Sequence, residues 1–417
     1  MVKKTRKVRD VVYGFVVLDE QESKIIDHPV FQRLRRIRQL ALTDMVYPGA
    51  MHTRFEHSIG VMQMASDMYD CVANNSRNEL EQVYSLDDSG FKRTKKIIRL
   101  AALLHDVGHA PFSHSGEDLM PLLPETHHRY VKGSGKRYDH EEYSIALIKK
   151  VFKEIIENHI LNVNYKIKVE EITSLLGDKN ASTDGFSLLW RPLLSSQLDA
   201  DRADYLLRDS LHLGVSYGIY DRSRLVSSLV LGRTETDALV LAIEEKSWQV
   251  AESFVHARYQ MFSQVYFHKV RRIYDYHIVV AVKEILRHKR NGKEEYPTSM
   301  ELDEYLIYDD WEIISALKQG AAWEKGDAIL NRKHFKCMHA SERAPTVEDE
   351  RIFAELNEKY KNHLTYMDDK ASTEWYKAND DIFVYGNAGL QPLSEKSVIV
   401  KAMTGKTVLQ KRFYASE

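Results

Sequence analysis

The sequence is poor in cysteine, with only Cys71 and Cys337 among its 417 residues. Two cysteines cannot build a disulfide framework or a cysteine-rich zinc site. No uninterrupted apolar run reaches the roughly 18 residues that a membrane-spanning helix needs. The basic start at residues 1–6 is not followed by the apolar core of a signal peptide. These absences predict a cytoplasmic protein without a membrane segment.

An excess of charge of one sign is also missing, since 59 Lys and Arg stand against 61 Asp and Glu and leave a net charge of −2. This balance argues against a dedicated binder of duplex DNA. The 43% of apolar residues fits a globular chain rather than a disordered one. We find no internal repeat and no low-complexity segment, so the length predicts two or three domains or one large helical body.

The spacing of apolar residues predicts a mainly α fold with a smaller α+β region at the C-terminus. A short hairpin is expected at residues 8–18, with Gly14 at its turn. A mobile loop is expected at 127–138. Helices are predicted at 29–42, 56–71, 95–106, 140–158, 196–211 and 248–290, and strands at 238–243, 381–385 and 397–401.

Histidine is concentrated in one part of the chain. Eight of the 18 histidines lie between His52 and His140, where an even distribution would place about four. Histidine is the commonest metal ligand and titrates near neutral pH. Because chance and surface placement also explain such a count, the spacing of particular residues must decide whether a site exists.

Three separate segments carry a candidate metal site, formed by His57, the adjacent pair His105 and Asp106, and Asp201. Two imidazoles and two carboxylates suit Mn, Fe, Zn or Mg. The pair ends a helix rich in Ala and Leu, where an unpartnered carboxylate would be costly to bury. The alternative is that Asp106 caps the turn that follows and His105 is a satisfied core residue.

The helix around Asp201 supports such a site by its geometry. Asp201, Tyr205 and Asp209 are spaced i, i+4 and i+8, so their side chains lie on one face. This stripe could present one end to a metal and the rest to a ligand. The alternative is a solvated face with local pairs, for example Arg208 with Asp204.

A second cluster follows the His-Asp pair and contains His109, His114 and Glu117, with His140 after the loop. A histidine held by a nearby carboxylate is a candidate general acid or water activator, although His114 could simply cap a turn. Arginines near the metal segments indicate a phosphorylated substrate, because guanidinium groups neutralise phosphoryl oxygens. These arginines are Arg54, Arg202 and Arg258, while Arg271 and Arg272 are interpreted as ordinary surface charge.

The order of these motifs resembles the H…HD…D signature of the HD-domain metal-dependent phosphohydrolases. The similarity is closer to their dNTP triphosphohydrolase branch, which includes the human sterile-alpha-motif HD-domain dNTPase and shorter bacterial relatives. It covers about residues 8–280 and rests on residues 31–35 (FQRLR), 47–50 (YPGA), 52–60 (HTRFEHSIG), 104–114 (LHDVGHAPFSH) and 201–209 (DRADYLLRD).

The resemblance implies a helical HD-domain bundle that binds one divalent metal ion (Mn, Fe, Mg or Zn) through His57, His105, Asp106 and Asp201. Catalytic roles would fall to His109, Glu117, His140 and His114; Glu117 stands where the eukaryotic relative has Asp. Phosphates would be held by Arg54, Arg202 and Arg258, of which Arg202 replaces a Lys. The deoxyribose pocket would be lined by Gln39, Leu40, Tyr205, Asp209 and Tyr266. An activating guanine nucleotide would bind at Asp27, Gln32 and Arg35.

The resemblance also implies the organisation of the chain and its reaction. Residues 1–50 would form an effector or interface segment, 51–233 the HD core, 234–290 a helical extension that completes the site, and 291–417 the α+β region. The reaction would convert dNTPs to deoxynucleoside and tripolyphosphate in a homodimer or homotetramer.

Two alternatives remain at this stage. One is an HD phosphodiesterase or nucleotidase acting on a signalling or monophosphate nucleotide. The other is a nucleotide sensor or weak single-stranded nucleic-acid binder, which basic and aromatic side chains permit. The residues in question are Arg33, Arg36, Lys269, Arg271, Tyr259 and Tyr266.

Overall fold

The computed structural model describes residues 5–181, 184–342 and 344–416, so residues 1–4 of the basic start lie outside the described part. Helices dominate the described residues, as predicted. In chain order the α-helices are α1 (Glu20–Asp27), α2 (Pro29–Gln32), α3 (Arg54–Asn75), α4 (Arg77–Tyr84), α5 (Asp88–Leu104), α6 (His114–Glu117), α7 (His140–Leu147), α8 (Lys153–Glu157), α9 (Val169–Leu175), α10 (Gly185–Trp190), α11 (Ala200–Leu213), α12 (Arg222–Ser227), α13 (Trp248–Met261), α14 (Lys269–Lys289), α15 (Leu302–Tyr305), α16 (Asp310–Lys318), α17 (Glu324–Leu330), α18 (Val347–Lys359), α19 (Leu393–Lys396) and α20 (Val398–Met403).

The strands form three small sheets, two of which draw on the C-terminal region. Strands β1 and β2 make the expected hairpin, in which Asp10 pairs with Gly14 at the turn. The second sheet has the order β3-β4-β7-β8 and the third has the order β5-β9-β6. The strands are β1 (Arg6–Asp10), β2 (Gly14–Leu18), β3 (Leu229–Arg233), β4 (Leu239–Glu244), β5 (Lys336–Ala340), β6 (Thr365–Glu374), β7 (Phe383–Gly386), β8 (Gly389–Pro392) and β9 (Thr407–Ala415).

The helix predicted over residues 29–42 is wrong beyond its first two turns. The chain is α-helical at Pro29–Gln32 and forms a 3₁₀ turn at Arg33–Arg36. Ile37 then takes up extended backbone, with φ −122° and ψ 113°, and its carbonyl accepts a hydrogen bond from Arg54 N–H. Long-range pairing with the segment before α3 therefore overrides the local helical spacing.

The strand predicted at 397–401 is also wrong, because this segment forms α20. The Ser397 hydroxyl caps the helix by accepting the Val400 N–H, as Ser commonly does at a helix N-terminus. Val400 and Met403, three residues apart, are buried, whereas Val398 and Ile399 are exposed. The β-branched apolar run at 398–400 favours a strand, although Ser397 before it is a helix start signal.

The long helix predicted over 248–290 is interrupted where it meets the site. Helix α13 ends in a π-helical turn at Phe262–Tyr266, and α14 begins at Lys269 after His268, whose ring accepts the Val270 N–H. π-Helical turns insert an extra residue and often occur at functional sites. Here the turn carries Tyr266 into a cavity described below.

A continuous apolar core joins the N-terminal hairpin to the C-terminal region, from Val16 to Met403. Its centre is the packing of α3 against α5 and of α11 against α3. Gly60 allows the close approach of α11, because a Cβ there would lie 2.1 Å from Asp204 Oδ1. Cys71 and Cys337 are both free thiols. Among the described residues, no helix combines the length and the apolar character that crossing a bilayer requires.

A buried ion cluster ties the first helix to α5. The Glu22 carboxylate is 1% exposed and accepts hydrogen bonds from Lys96 Nζ at 3.1 Å and from Arg99 Nε at 2.8 Å. Burial alone would raise the pKa of Glu22, but the two cations and the Asp19 N–H lower it to about 2. The folded protein therefore binds the ionised carboxylate more strongly than the unfolded chain does.

Glu22→Gln is expected to destabilise the fold by about 3 kcal/mol at neutral pH, because Lys96 and Arg99 both lose an ionised partner. In the wild type, the contribution of the Glu22 carboxylate to the free energy of unfolding is fully present above pH 4.5 and is lost as pH falls toward about 2. Chemical denaturation from pH 7 to pH 3 should show the gap between the two proteins closing. Glu20→Gln, on the same helix but in an exposed pair with Lys24, is the control and should cost at most about 1 kcal/mol. A constant gap over this pH range would refute the assignment.

Candidate metal centre and substrate cavity

Three helix ends bring the predicted metal ligands together. His57 lies in the first turns of α3, which a capping box between Thr53 and Glu56 starts. His105 is the C-terminal cap of α5, and Asp106 follows it. Asp201 lies in the first turn of α11, after the N-cap Asp199. Because α3 packs against both α5 and α11, the three segments converge.

The distances between the ligand atoms fit one shared cation. His57 Nε2 lies 3.0 Å from Asp201 Oδ1 and 3.5 Å from Asp106 Oδ2. His105 Nε2 lies 3.3 Å from Asp106 Oδ1 and 3.9 Å from Asp201 Oδ1. Bond lengths of about 2.0–2.2 Å to a common ion place neighbouring ligand atoms about 3–4 Å apart.

The imidazole nitrogens that face this point are buried and lack a hydrogen-bond partner among the described residues, for both His57 and His105. Their other nitrogens are held: His57 Nδ1 by Asp204 Oδ2 at 2.8 Å, and His105 Nδ1 by the Ala102 carbonyl at 2.8 Å. Such outer contacts are typical of metal-binding histidines, whose rings they orient. His57, His105 and Asp106 are thus positioned to hold a divalent metal ion, with Asp201 beside them.

Neighbouring positive charges keep the Asp106 carboxylate ionised. Burial alone would raise the pKa of Asp106, but Arg54, together with His105, His109 and His57, holds it well below its usual value. Arg54 Nη1 donates to Asp106 Oδ2 at 2.6 Å. An ionised carboxylate is the form that binds a metal.

A buried network lies behind His57 and was not predicted as part of the site. Asp204 is 0% exposed and accepts Arg208 Nε at 2.8 Å as well as the His57 contact. Arg208 Nη1 in turn reaches Asp10 Oδ2 at 3.0 Å, at the end of β1. The local pair between Arg208 and Asp204 therefore exists, but it is buried and supports the metal ligand instead of forming a solvated face.

The second predicted cluster gathers beside the metal ligands. The rings of His109 and His140 stack with centroids 3.9 Å apart. Glu117 contacts His140 Nδ1 at 2.6 Å and His114 Nδ1 at 3.0 Å. The Nε2 atoms of His109 and His140 lie 3.5 and 3.8 Å from Asp106 Oδ1. Gly108 permits this arrangement, because a Cβ there would lie 2.3 Å from Ser144 N on α7.

The two stacked rings have opposite proton preferences. Burial, Arg54 and His140 together lower the pKa of His109 well below its usual value. Burial also opposes the charged form of His140, but the Glu117 carboxylate raises its pKa to about 9. Adjacent groups whose environments push their pKa values apart are suited to separate acid and base roles.

A cavity of about 520 Å³ opens next to the metal ligands. It contains Asp201, Tyr205 and Asp209 of the predicted helix face, together with Arg54 at the metal end. The structure also places Gln39, Leu40, Tyr266 and His114 in its wall. Eight of the residues predicted for catalysis, metal binding or substrate binding thus line one space.

Tyr266 is fixed against the wall of this cavity by a buried carboxylate. Its hydroxyl donates to Asp209 Oδ2 at 2.6 Å, and His52 Nε2 contacts Asp209 Oδ1 at 2.7 Å. Burial and the nearby Asp209 carboxylate raise the pKa of Tyr266 well above its usual value. The phenol is therefore protonated at neutral pH and held in one orientation.

The turn after the HD pair has a strained backbone at the cavity wall. Phe112 and Ser113 have φ values of 58° and 56°, which are uncommon outside glycine. Asp310 Oδ1 accepts the Phe112 N–H at 2.7 Å, and the Ser113 hydroxyl accepts Arg54 Nε at 2.9 Å. Strain of this kind persists at sites where surrounding contacts determine the backbone.

The C-terminal region supports this turn from behind and also closes the cavity. Tyr305 OH donates to the Gly108 carbonyl at 2.7 Å, and the buried Arg33 guanidinium bridges the carbonyls of His109 and Tyr308. Strand β6 contributes four residues to the cavity wall: Tyr366, Met367, Asp369 and Lys370. Arg33 is 1% exposed, so it cannot contact nucleic acid at the surface as one alternative supposed.

Other residues do not join the cavity. Arg202 and Arg258 line a small adjacent pocket with Trp375 and Tyr376; Arg202 pairs with Asp199, and Arg258 donates to the Trp375 carbonyl at 3.0 Å. The three predicted effector residues lie elsewhere, in and just after α1 and α2. Asp27 pairs with Arg6 at 2.7 Å, and Gln32 Oε1 accepts Arg35 Nε at 2.8 Å.

The interpretation of Arg271 and Arg272 as surface charge is wrong. Their side chains are 15% and 14% exposed, pair with Asp275 on the same helix and line the cavity. Their spacing on α14, five and six residues beyond Tyr266, was the available signal. This spacing could be interpreted only once the π-helical turn and the break at His268 were known, because they set the direction of α14 relative to Tyr266.

Comparisons with known proteins agree with this architecture. The HD domain family matches residues 54–209, and the HD associated region matches residues 220–413. The uncharacterized protein MJ1154 of Methanocaldococcus jannaschii is 34% identical over 311 residues, covering 75% of this chain and 54% of that protein. A Dictyostelium discoideum protein named deoxynucleoside triphosphate triphosphohydrolase SAMHD1 homolog is 32% identical over 285 residues, covering 68% and 50%. The chain thus spans about half the length of these two relatives.

A solved structure extends the match to nearly the whole chain. The crystal structure of a hypothetical protein from Aquifex aeolicus superposes with a TM-score of 0.76 at 29% identity, covering 99% of this chain and 97% of that one. The helical fold and the His/Asp metal centre define a protein of the HD class. With the HD domain and the HD associated region both matched, the chain belongs to the HD-domain phosphohydrolase family.

Proposed function

We propose that this protein hydrolyses deoxynucleoside triphosphates to deoxynucleoside and tripolyphosphate. One observation carries the proposal: a single cavity joins the metal ligand Asp201 to the Asp209–Tyr266 pair on the same wall. A metal centre alone would suit many phosphate esters, whereas the rigid phenol beside it suits a sugar that lacks a 2′-hydroxyl. The name of the Dictyostelium relative supports the same substrate class.

The metal site and its neighbours would divide the chemistry of the α-phosphate. When bound, the divalent cation supplies Lewis-acid polarisation of a phosphoryl oxygen. His109, kept neutral by burial and by Arg54, would accept a proton from the attacking water. His140, kept charged by Glu117, would donate a proton to the departing 5′-oxygen. His114, which shares Glu117 with His140, would help to hold this carboxylate.

The remaining predicted residues would bind the two ends of the nucleotide. Arg54 lies at the metal end, where it would contact the α-phosphate. Arg202 and Arg258 would hold the outer phosphates. Both lie near Tyr205, because their charges partly offset the burial that raises the pKa of this tyrosine to about 12. Gln39, Leu40, Tyr205, Asp209 and Tyr266 would enclose the deoxyribose, and Tyr266 would exclude a 2′-hydroxyl.

The proposal includes activation by a guanine nucleotide at Asp27, Gln32 and Arg35, and assembly into a homodimer or homotetramer. Arg35 stacks on the Phe55 ring, with 3.5 Å between the guanidinium carbon and the ring centroid. Phe55 is adjacent to Arg54 in the first turn of α3. A ligand that moved Arg35 would therefore act directly on the start of the helix that carries His57.

The expected products are deoxynucleoside and tripolyphosphate from each active dNTP, without monophosphate or pyrophosphate. The test incubates the metal-loaded protein with dNTPs and NTPs, singly and in mixtures, and identifies products by anion-exchange chromatography. Mixtures matter because activation by one nucleotide is invisible when each substrate is tested alone. Ribonucleotides should be hydrolysed at least about tenfold more slowly, since one steric or hydrogen-bond mismatch costs 1–3 kcal/mol.

The product assay, together with a binding measurement on single-stranded nucleic acid, separates the two alternatives from the proposal. Release of monophosphate, or hydrolysis of monophosphate or cyclic nucleotides in preference to dNTPs, would favour an HD phosphodiesterase or nucleotidase. Tight binding of single-stranded nucleic acid without turnover would favour the sensor alternative. Either result would overturn the assignment of tripolyphosphate as product.

A further inference from the structure

The cavity extends past the proposed sugar pocket to a far end built by α14 and β6. Helix α14 contributes Arg271, Arg272 and Asp275, and β6 contributes Tyr366 and Lys370. Arg271 Nη1 donates to the Tyr266 carbonyl at 2.9 Å. The far end is thus directly adjacent to the residue proposed to contact the deoxyribose, which is where the base of a bound nucleotide would lie.

Arg271 presents an unused hydrogen-bonding edge at this end. Its Nη1 contacts both the Tyr266 carbonyl and Asp275 Oδ2, the latter at 3.1 Å. Its Nε is buried without a hydrogen-bond partner in the described part of the chain. Nε and Nη2 donate from one side of the planar guanidinium, so this side can engage two adjacent acceptor atoms of a ligand.

The neighbouring cations are already engaged. Arg272 uses all three nitrogens, with Nε and Nη2 on Asp368 at 3.0 and 2.8 Å and Nη1 on Asp275 at 3.1 Å. Lys370 pairs with Asp118 at 2.8 Å. Of the three cations at this end, Arg271 is therefore the one positioned to receive a ligand.

The charge at the far end suits a neutral group rather than a phosphate. Three cations line it, Arg271, Arg272 and Lys370, and three carboxylates line it as well. These are Asp118, Asp275 and Asp369. A triphosphate would gain little from a charge-balanced wall, whereas a nucleobase can use directional hydrogen bonds there.

The aromatic side chains at this end provide a flat apolar surface. Tyr276 of α14 and Tyr366 of β6 both line the cavity and stack with centroids 4.2 Å apart and planes 21° apart. A base beside them would keep its edge free for Arg271. Stacking on aromatic rings tolerates every base, so selection among bases would fall to the guanidinium.

We propose that Arg271 binds the O6 and N7 edge of a guanine base, which makes the site selective for dGTP among the dNTPs. This inference rests on the proposed function. Guanine presents two adjacent acceptors on this edge, which arginine contacts in pairs. Adenine has an amino donor in place of O6, and such a donor would face the Arg271 donors.

The first test measures kcat/KM for the four dNTPs at a fixed saturating GTP concentration, so that effector occupancy does not vary. Wild type should prefer dGTP. Arg271→Ala should lower kcat/KM for dGTP by about tenfold to a hundredfold, the range of one bidentate base contact, and leave the other three within about threefold. Arg271→Met keeps a long side chain but has no donor for O6 or N7, so it should lose the preference as well.

The matched control is Arg287→Ala, on the same helix but in exposed pairs with Glu284 and Glu294. It should leave the ratios among the four dNTPs unchanged. Since Arg271→Ala could disturb the fold, a second measurement uses the wild-type protein with 7-deaza-dGTP, which lacks the N7 acceptor. This analogue should react more slowly than dGTP with wild type and equally fast with Arg271→Met.

Two results would overturn the inference. One is an equal loss for all four dNTPs in the Arg271 variants, which would indicate a phosphate or structural role. The other is indifference of wild type to 7-deaza-dGTP. If wild type hydrolyses no dNTP, the proposed function fails, and calorimetry with deoxyguanosine and deoxyadenosine then tests Arg271 separately. Tighter binding of deoxyguanosine that disappears in Arg271→Met would uphold the base contact, and equal binding of both would reject it.

Discussion

Asp106→Ala is expected to abolish metal binding and hydrolysis together. Asp106 is 2% exposed and lies within 3.5 Å of His57, His105 and His109. Its loss removes a ligand and leaves Arg54 without the carboxylate that it contacts. Because a bound cation is worth several kcal/mol in the transition state and each 1.36 kcal/mol is a factor of ten, the rate should fall by about a thousandfold or more.

The measurement pairs metal content per protein, by inductively coupled plasma mass spectrometry, with dNTP turnover. His105→Ala should behave in the same way, since its Nε2 faces the same point. His128→Ala, an exposed histidine outside the site, is the control and should retain both metal and activity. Full activity of a metal-free Asp106→Ala protein would eliminate the metal-dependent mechanism.

Asp204→Ala is expected to have the largest effect on stability and also to weaken metal binding. The substitution removes the closest carboxylate of the fully buried Arg208, which keeps Asp10 and Glu56 at 3.0 and 3.6 Å, and it frees the His57 ring. Breaking a buried ion pair by removing one partner costs about 3–5 kcal/mol. Loss of the contact behind a metal-binding histidine costs about 10–100-fold in metal affinity.

Denaturant titration with and without added metal separates the two effects. The apo protein should show the full loss of unfolding free energy, and isothermal titration of the folded variant should show the weaker metal affinity. Asp303→Ala, whose side chain is 92% exposed in its pair with Lys150, is the control and should change neither quantity appreciably. An Asp204→Ala protein as stable as wild type would contradict the role given to the network.

The helices around the site were predictable because their signals are local. The apolar spacing over residues 56–71 and 95–106 reports burial of one helix face. Helix α3 covers the first range, and α5 covers the second as far as Leu104. Where prediction failed, a distant contact decided the backbone. Residues 37–42 leave the helix because Ile37 and Gln39 hydrogen-bond to Arg54 and His52. No residue near Ile37 in the sequence indicates that these would be its partners.

The sequence by itself singled out the candidate metal ligands, because their motifs resemble the HD signature and the spacing around Asp201 places it on a helix face. Their convergence follows from the packing of α3 against α5 and α11. The tertiary structure decided what surrounds them. The Asp204–Arg208–Asp10 network, the strained turn at Phe112 and Ser113, and the far wall of the cavity join segments up to about 250 residues apart. Such contacts depend on how whole elements pack, and no local pattern of side chains specifies that.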